Sequence, residues 1–155
     1  MTRPAVLIAH KHLAAVGALL AGRYDVYRLW EGPPVEAGHL IRAMIVAGEF
    51  EVDKALVESL PNLGLIACFA VGYDGVDLAW ARGRGIAVTH APGVNDEDVA
   101  DHALGLMLAS RRQIVAGDRQ LRAGGWTLEA KPLTRGLGGA PLGVVGLGRI
   151  GAALA

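Results

Sequence analysis

Five short apolar runs, separated by stretches with helical spacing, constrain this chain more than any other feature. They are AVLIA (5–9), YDVYRLW (24–30), RAMIVAG (42–48), LGLIACFAV (63–71) and IAVTHA (86–91). Runs this short, apolar throughout or strictly alternating and bounded by turn residues, read as strands, mostly buried on both faces. Between them HLAAVGALLAGR (12–23), EVDKALVESL (51–60) and VDLAWARGRG (76–85) have helical spacing. Pro61 follows the second of these and glycine closes the third. EGPPVEAG (31–38) is a loop by its Pro-Pro and glycine content. Strands and helices alternating over connections of a few residues imply right-handed crossovers, so the expected fold class is α/β with a parallel sheet. The 22 glycines suit tight turns and close helix–sheet packing.

The rhythm breaks at APGVN (91–95). One long helix is expected over 95–123, capped by Asn95, with Asp96, Glu97 and Asp98 in the first turn, where the helix dipole favours negative charge. Val99, Ala103, Leu106, Met107, Ile114 and Val115 keep a helical period. Arg111, Arg112, Arg119 and Arg122 lie toward its C-terminal end. A Gly/Pro-rich connector (123–141) follows, long enough to join separate bodies or to serve a function. Then LGVV (142–145) reads as a strand and GLGRIG (146–151) as the turn into a helix.

GLGRIG is a G-x-G-x-x-G in the context that a dinucleotide turn requires: an apolar strand before it and a helix-forming RIGAALA after it. In that reading Gly146 permits the tight turn and Gly148 lets the backbone approach a pyrophosphate. Gly151 lets helix and strand pack closely, and the N–H groups near Arg149 and Ile150 face the anion. The plain alternative is an ordinary glycine-rich strand-to-helix turn. The acidic residue that reads the ribose is expected about 20 residues further on, after a second strand, and the 155 residues contain neither. One strand and a short helix cannot bury their own faces. Residues 1–94 are therefore expected to form a nearly complete domain. Residues 95–155 read as the incomplete start of another.

Composition narrows the classes of function. Basic and acidic residues balance at 15 each, so no global field points to nucleic acid or to an anionic membrane. The N-terminal apolar stretch is interrupted by His10, Lys11 and His12 and falls short of a membrane span. With the single Cys68, which excludes an internal disulfide framework, this gives a cytoplasmic expectation. Cys68 lies in an apolar run and reads as a buried, inert thiol; a catalytic thiol is the alternative. His10 and His12 flank a lysine but lack the further ligands that a metal site needs. Trp30, Trp80 and Trp126 read as packing residues.

ACFAVGYDGVDL, ARGRGIAVTHAPGVNDEDVADHALGLML, GDRQLRAGGW and GVVGLGRIG stand in one order and spacing. Together they resemble the first half of a D-isomer-specific 2-hydroxyacid dehydrogenase, nearest the glyoxylate/hydroxypyruvate reductase branch. The resemblance implies a flavodoxin-like substrate domain (1–94), the truncated start of a Rossmann NAD(P)-binding domain (95–155) and a cleft between the two. It implies NAD(P)-dependent reduction of a small 2-oxo acid, with NAD or NADP as cofactor. Val71 and Gly72 are then the substrate-carboxylate site. Gly146, Leu147, Gly148, Arg149, Ile150 and Gly151 bind the cofactor, joined by Val71 and Val99. Asp98 and Asp101 match a stretch lining the cleft, and helix 95–123 packs in a homodimer.

The family's catalytic Arg, Glu and His lie in its second half, so the chain as given is expected to be an inactive fragment with no catalytic residue of its own. Ala140 and Pro141 replace the Lys-Thr that usually leads into the glycine turn. Asp98 with His102, or His90, could form an acid–base element, although a surface ion pair is the common outcome for such spacing. Asp74 and Asp77 are read first as turn and helix-cap residues. An NAD(H)-sensing corepressor on the same scaffold is the alternative function.

Overall fold

The computed structural model describes residues 3–129 and 133–155. Two compact units emerge, one ending at Val94 and one running from Asn95 to Ala155.

The first unit is built on five parallel strands: β1 (Ala5–Ile8), β2 (Asp25–Arg28), β3 (Ile41–Val46), β4 (Leu65–Cys68) and β5 (Ala87–Thr89). Three helices connect them: α1 (Ala14–Leu20), α2 (Lys54–Glu58) and α3 (Leu78–Gly83). The order across the sheet is β2-β1-β3-β4-β5, all parallel, which is the flavodoxin-type order. Every strand expected in this unit is present, with ends that differ by a few residues from the expected bounds.

Successive side chains leave a strand on opposite faces, and both faces are covered here. Leu7, Met44, Val46 and Ile66 pack with Val57 of α2 and Ala81 of α3. Val6, Ile8 and Ile45 pack on the other side with Leu13 and with Val16 and Leu20 of α1. Two-sided burial is why β1 and β3 are continuous apolar runs rather than alternating ones. Two aspartates start helices. Asp53 Oδ1 accepts from the Ala55 N–H across 2.8 Å, and Asp77 Oδ1 accepts from the Trp80 N–H across 3.0 Å.

The second unit contains α4 (Asp96–Arg111), α5 (Ile114–Arg122) and α6 (Arg149–Leu154). It departs from the sequence expectation in three ways. The single helix expected over 95–123 is two helices, because Gln113 adopts a left-handed conformation with φ 53° and ends the α-helical path. Asn95 occupies the capping position, but its side chain makes no capping bond. Its ψ of 20° is not the extended geometry that aims the amide oxygen at the next N–H groups, and that oxygen is buried without a partner. The strand expected at 142–145 does not form; among the described residues no neighbouring strand pairs with it. α6 packs on α4 instead, and Arg149 Nε lies 3.2 Å from Asp96 Oδ2. Residues 130–132 of the expected connector lie outside the described residues.

Candidate functional site

In an open parallel sheet the ligand edge is the carboxyl end of the strands, at the point where strand order reverses. In the order β2-β1-β3-β4-β5 that point lies between β1 and β3, and the loops after β1, β3, β4 and β5 line the edge. Val71 and Gly72 sit in the loop after β4, on this edge. Val71 is half-buried and Gly72 exposed.

The turn is held from two sides. His90, beyond β5, donates from Nδ1 to the Val71 carbonyl oxygen across 2.7 Å. A carbonyl can only accept, so Nδ1 carries the proton in this bond. The Tyr73 ring meets the His90 ring edge-on, with centroids 4.9 Å apart. On the other side the loop after β3 is laced to the loop after β4. The Gly75 N–H donates to the Gly48 carbonyl across 2.8 Å, and the Val52 N–H donates to the Gly75 carbonyl across 2.9 Å. The contact leaves no room for side chains. A Cβ on Gly48 would collide with the Gly72 carbonyl, and one on Gly75 with the Phe50 carbonyl.

Asp74 folds back on the same turn. Its Oδ2 lies 3.2 Å from where a Cβ on Gly72 would stand. The Asp74 carboxylate thus stands beside the Gly72 backbone. Asp77 serves as the cap of α3 and pairs with Lys54 Nζ at 2.8 Å. The Lys54 bond first, and the Trp80 N–H second, hold its carboxyl below the usual range. Cys68 is buried at the end of β4, and burial pushes its thiol up, away from the reactive thiolate. Trp80 is sandwiched between Lys54 and Arg84, whereas Trp126, expected to pack, is 56 % exposed. Asp98 and His102 both lie exposed on α4, and no salt bridge joins them. Among the described residues no group of three or more His, Cys, Asp or Glu side chains could hold a metal ion. No described helix is long and apolar enough to cross a membrane.

In the second unit the three glycines of the turn stand in three different steric situations. Gly146 takes φ +92°, a conformation that suits glycine. Nothing lies within 4 Å of a Cβ built on Gly148, so the backbone there is open to an anion. A Cβ on Gly151 would strike the Gly146 carbonyl, so the third glycine serves close packing. Leu147 is exposed, Ile150 is 37 % exposed and Val99 is half-buried on α4.

Sequence reasoning named His90 only as an acid–base candidate and missed its role as a buttress of Val71; it missed altogether Tyr73 against His90 and the laced contact of Gly48 with Gly75. The contacts His90–Val71, Tyr73–His90 and Gly48–Gly75 span 19, 17 and 27 residues, and only the sheet order brings them together.

Residues 13–139 match the family described as D-isomer specific 2-hydroxyacid dehydrogenase, catalytic domain. Glyoxylate/hydroxypyruvate reductase A of Arabidopsis thaliana is 38% identical over 141 residues, 88% of this chain and 45% of the relative. The solved 2-hydroxyacid dehydrogenase of Ketogulonicigenium vulgare superimposes with a TM-score of 0.86 at 41% identity, covering 99% of this chain and 50% of that one. The NADPH-dependent glyoxylate/hydroxypyruvate reductase of Sinorhizobium meliloti, solved with NADP and malonate, gives a TM-score of 0.82 at 35% identity. It covers 99% of this chain and 49% of its own. The chain spans about half the length of the relatives it matches. On its sequence and its five-stranded parallel sheet, the chain belongs to the D-isomer-specific 2-hydroxyacid dehydrogenase family.

Proposed function

We propose that this chain supplies the substrate-carboxylate site, and the opening of the cofactor site, of an NAD(P)-dependent reductase acting on a small 2-oxo acid such as glyoxylate or hydroxypyruvate. The observation that carries the reading is the buttressed Val71–Gly72 turn, which stands at the carboxyl end of β4 with Gly72 exposed. Backbone N–H groups at Val71 and Gly72 bind the carboxylate, and His90 fixes the Val71 peptide so that the donors are set before ligand arrives. Such preorganisation spares the ordering cost on binding.

Domain roles follow the two units, substrate for 1–94 and NAD(P) for 95–155. Gly146 to Gly151, with Leu147, Arg149 and Ile150 between them and Val99 on α4, are assigned to the cofactor; Val71 serves it as well. The open backbone at Gly148 fits that role. The nicotinamide, when bound, supplies hydride to the carbonyl carbon. Protonation of the carbonyl oxygen is assigned to no residue of this chain. A second copy is the proposed partner of the exposed apolar side of α4 and α5, where Leu106 and Ile114 stand in solvent. Sedimentation showing only monomer at micromolar concentration contradicts that pairing.

Calorimetric titration with glycolate, the 2-hydroxy counterpart of glyoxylate, tests the carboxylate site. The wild-type chain gives saturable heat. Gly72→Pro, which deletes one donor, abolishes it while the far-ultraviolet dichroism stays the same. Equal heats from both proteins contradict the assignment.

A further inference from the structure

The laced loops each run into a helix, α2 after β3 and α3 after β4. Both helices cross over between parallel strands, so both begin at the carboxyl end of the sheet, where the Val71–Gly72 turn lies. Three bonds join the two loops, in chain order. The Gly75 N–H donates to the Gly48 carbonyl and the Val52 N–H donates to the Gly75 carbonyl. The third is Lys54 Nζ, on the first residue of α2, donating to Oδ2 of Asp77, the cap of α3, across 2.8 Å. Of the three, this one alone is made by side chains, so a substitution can remove it and leave the backbone bonds in place.

Little slack lies between Gly72 and Asp77. The Val76 N–H closes back on the Tyr73 carbonyl across 2.9 Å, Val76 is buried, and Asp77 Oδ1 accepts from the Trp80 N–H. A second ion pair supplies a comparison within the same two helices. Arg84 Nη2 lies 2.6 Å from Glu58 Oε1, where α2 and α3 end. Trp80 lies under both cations, with Lys54 Nζ 5.4 Å and the Arg84 guanidinium 4.9 Å from its ring centroid. The two pairs are alike in exposure, their side chains lying between 42 and 55 % exposed. They differ in place: Lys54–Asp77 stands at the end of the helices that meets the turn, and Glu58–Arg84 at the end that does not.

We infer that Lys54 and Asp77 are positioning residues for the carboxylate turn: their ion pair, braced on the Trp80 ring, holds the loop after β3 against the loop after β4 and so keeps the Val71 and Gly72 N–H donors set, without touching the ligand. The inference rests on the carboxylate reading above and adds the side chains that tune its affinity. Lys54 and Asp77 cancel each other's charge at contact distance, so their part is geometric. A role through the electric field and a role through geometry give opposite signs at Asp77. Removing its negative charge strengthens anion binding if the field acts, and weakens it if the pair positions the turn.

The test uses the 155-residue chain, with glycolate titrated by calorimetry and amide exchange followed by nuclear magnetic resonance without ligand. Lys54→Met keeps an apolar stem beside Trp80, and Asp77→Asn keeps a capping oxygen for α3. Each weakens glycolate binding about threefold, the scale of an exposed ion pair. The double variant is no weaker than either alone, as expected for two halves of one interaction. Lys54→Arg restores wild-type affinity, because a guanidinium both pairs with a carboxylate and stacks on a ring. In Lys54→Met the Val52 and Gly75 amides exchange about threefold faster relative to those of β3, on the same scale. Arg84→Met, which breaks the far pair, leaves glycolate affinity and both amides as in the wild type. Unchanged affinity in Lys54→Met, tighter binding in Asp77→Asn, or an equal loss in Arg84→Met overturns the positioning pair and leaves the carboxylate reading standing. No heat from glycolate with the wild-type chain overturns the carboxylate reading, and the positioning role with it.

Discussion

The two units differ in what holds them. In the unit ending at Val94, both faces of a parallel sheet are covered, and Leu7, Ile8, Ile41, Met44, Val46 and Ile66 are essentially removed from water. In the unit from Asn95 to Ala155, Ala100 is the only buried apolar side chain among the described residues, while Leu104, Leu106, Ile114, Val115, Leu121 and Val145 are exposed. The same chain thus carries the Val71–Gly72 turn on a packed scaffold and the glycine turn on three helices with almost no core. The hydrophobic term scales with buried apolar area, so local opening of the second unit takes far less free energy than opening of the sheet.

The sharpest way to break that contrast is paired truncation. Ile66→Ala, in the centre of the sheet, is expected to lower stability by about 2–5 kcal/mol, and Leu106→Ala, on α4, by less than about 0.5 kcal/mol. Denaturant midpoints measure both. A comparable loss at Leu106 shows that the second unit has a core that the exposures do not reveal.

Glycines sharpen the comparison at the sites themselves. Gly48→Ala forces the loop after β3 off the Gly72 carbonyl and is expected to destabilise by about 1–3 kcal/mol, with loss of glycolate binding. Gly148→Ala meets open space, so thermal melting stays within about 1 °C of wild type, a shift well below what 1 kcal/mol produces. A Gly48→Ala protein with unchanged melting and unchanged glycolate affinity undoes the laced-loop description.

Smaller effects come from charge. His10 has a folded-state value below the ordinary 6.5. Between that lowered value and about 6.5, the unfolded chain binds more protons than the folded one, so stability rises with pH across this window and falls on acidification through it. His10→Gln removes that slope. Melting temperatures that fall equally in both proteins between neutral and mildly acid pH count against the burial of His10. Smallest is Asp74→Asn, which removes the negative charge beside Gly72. Exposed charges interact weakly, so glycolate affinity is expected to rise about two- to fivefold. Weaker binding shows that Asp74 assists the turn instead of opposing its ligand.

The first unit was almost fully legible in the sequence because two-sided burial writes itself as apolar runs, and each run became a strand. Within the glycine turn two of the three glycines answer a steric demand, Gly146 by its left-handed φ and Gly151 by its contact with the Gly146 carbonyl, whereas Gly148 faces open space. The break at Gln113 was not: both flanks have helical composition, and a left-handed glutamine has no residue-type signature of the kind glycine provides. The strand at 142–145 failed for a different reason. A strand is a property of a pair, and an apolar run alone says nothing of whether a partner is present. The buttressing by His90 and the contact of Phe50 with Gly75 escaped because they depend on which loops the sheet order makes neighbours.

Native-state hydrogen exchange tests most directly the claim that this chain carries a packed sheet unit and a weakly held glycine turn. Amides of β1, β3 and β4 are expected to exchange only through global unfolding, on the order of 10³-fold or more slower than those of α6 and of residues 142–148. α6 has six residues, far below the length at which an isolated helix persists in water. Protection across 142–154 equal to that of β3 would contradict the account, because the glycine turn would then rest on a scaffold as firm as the sheet.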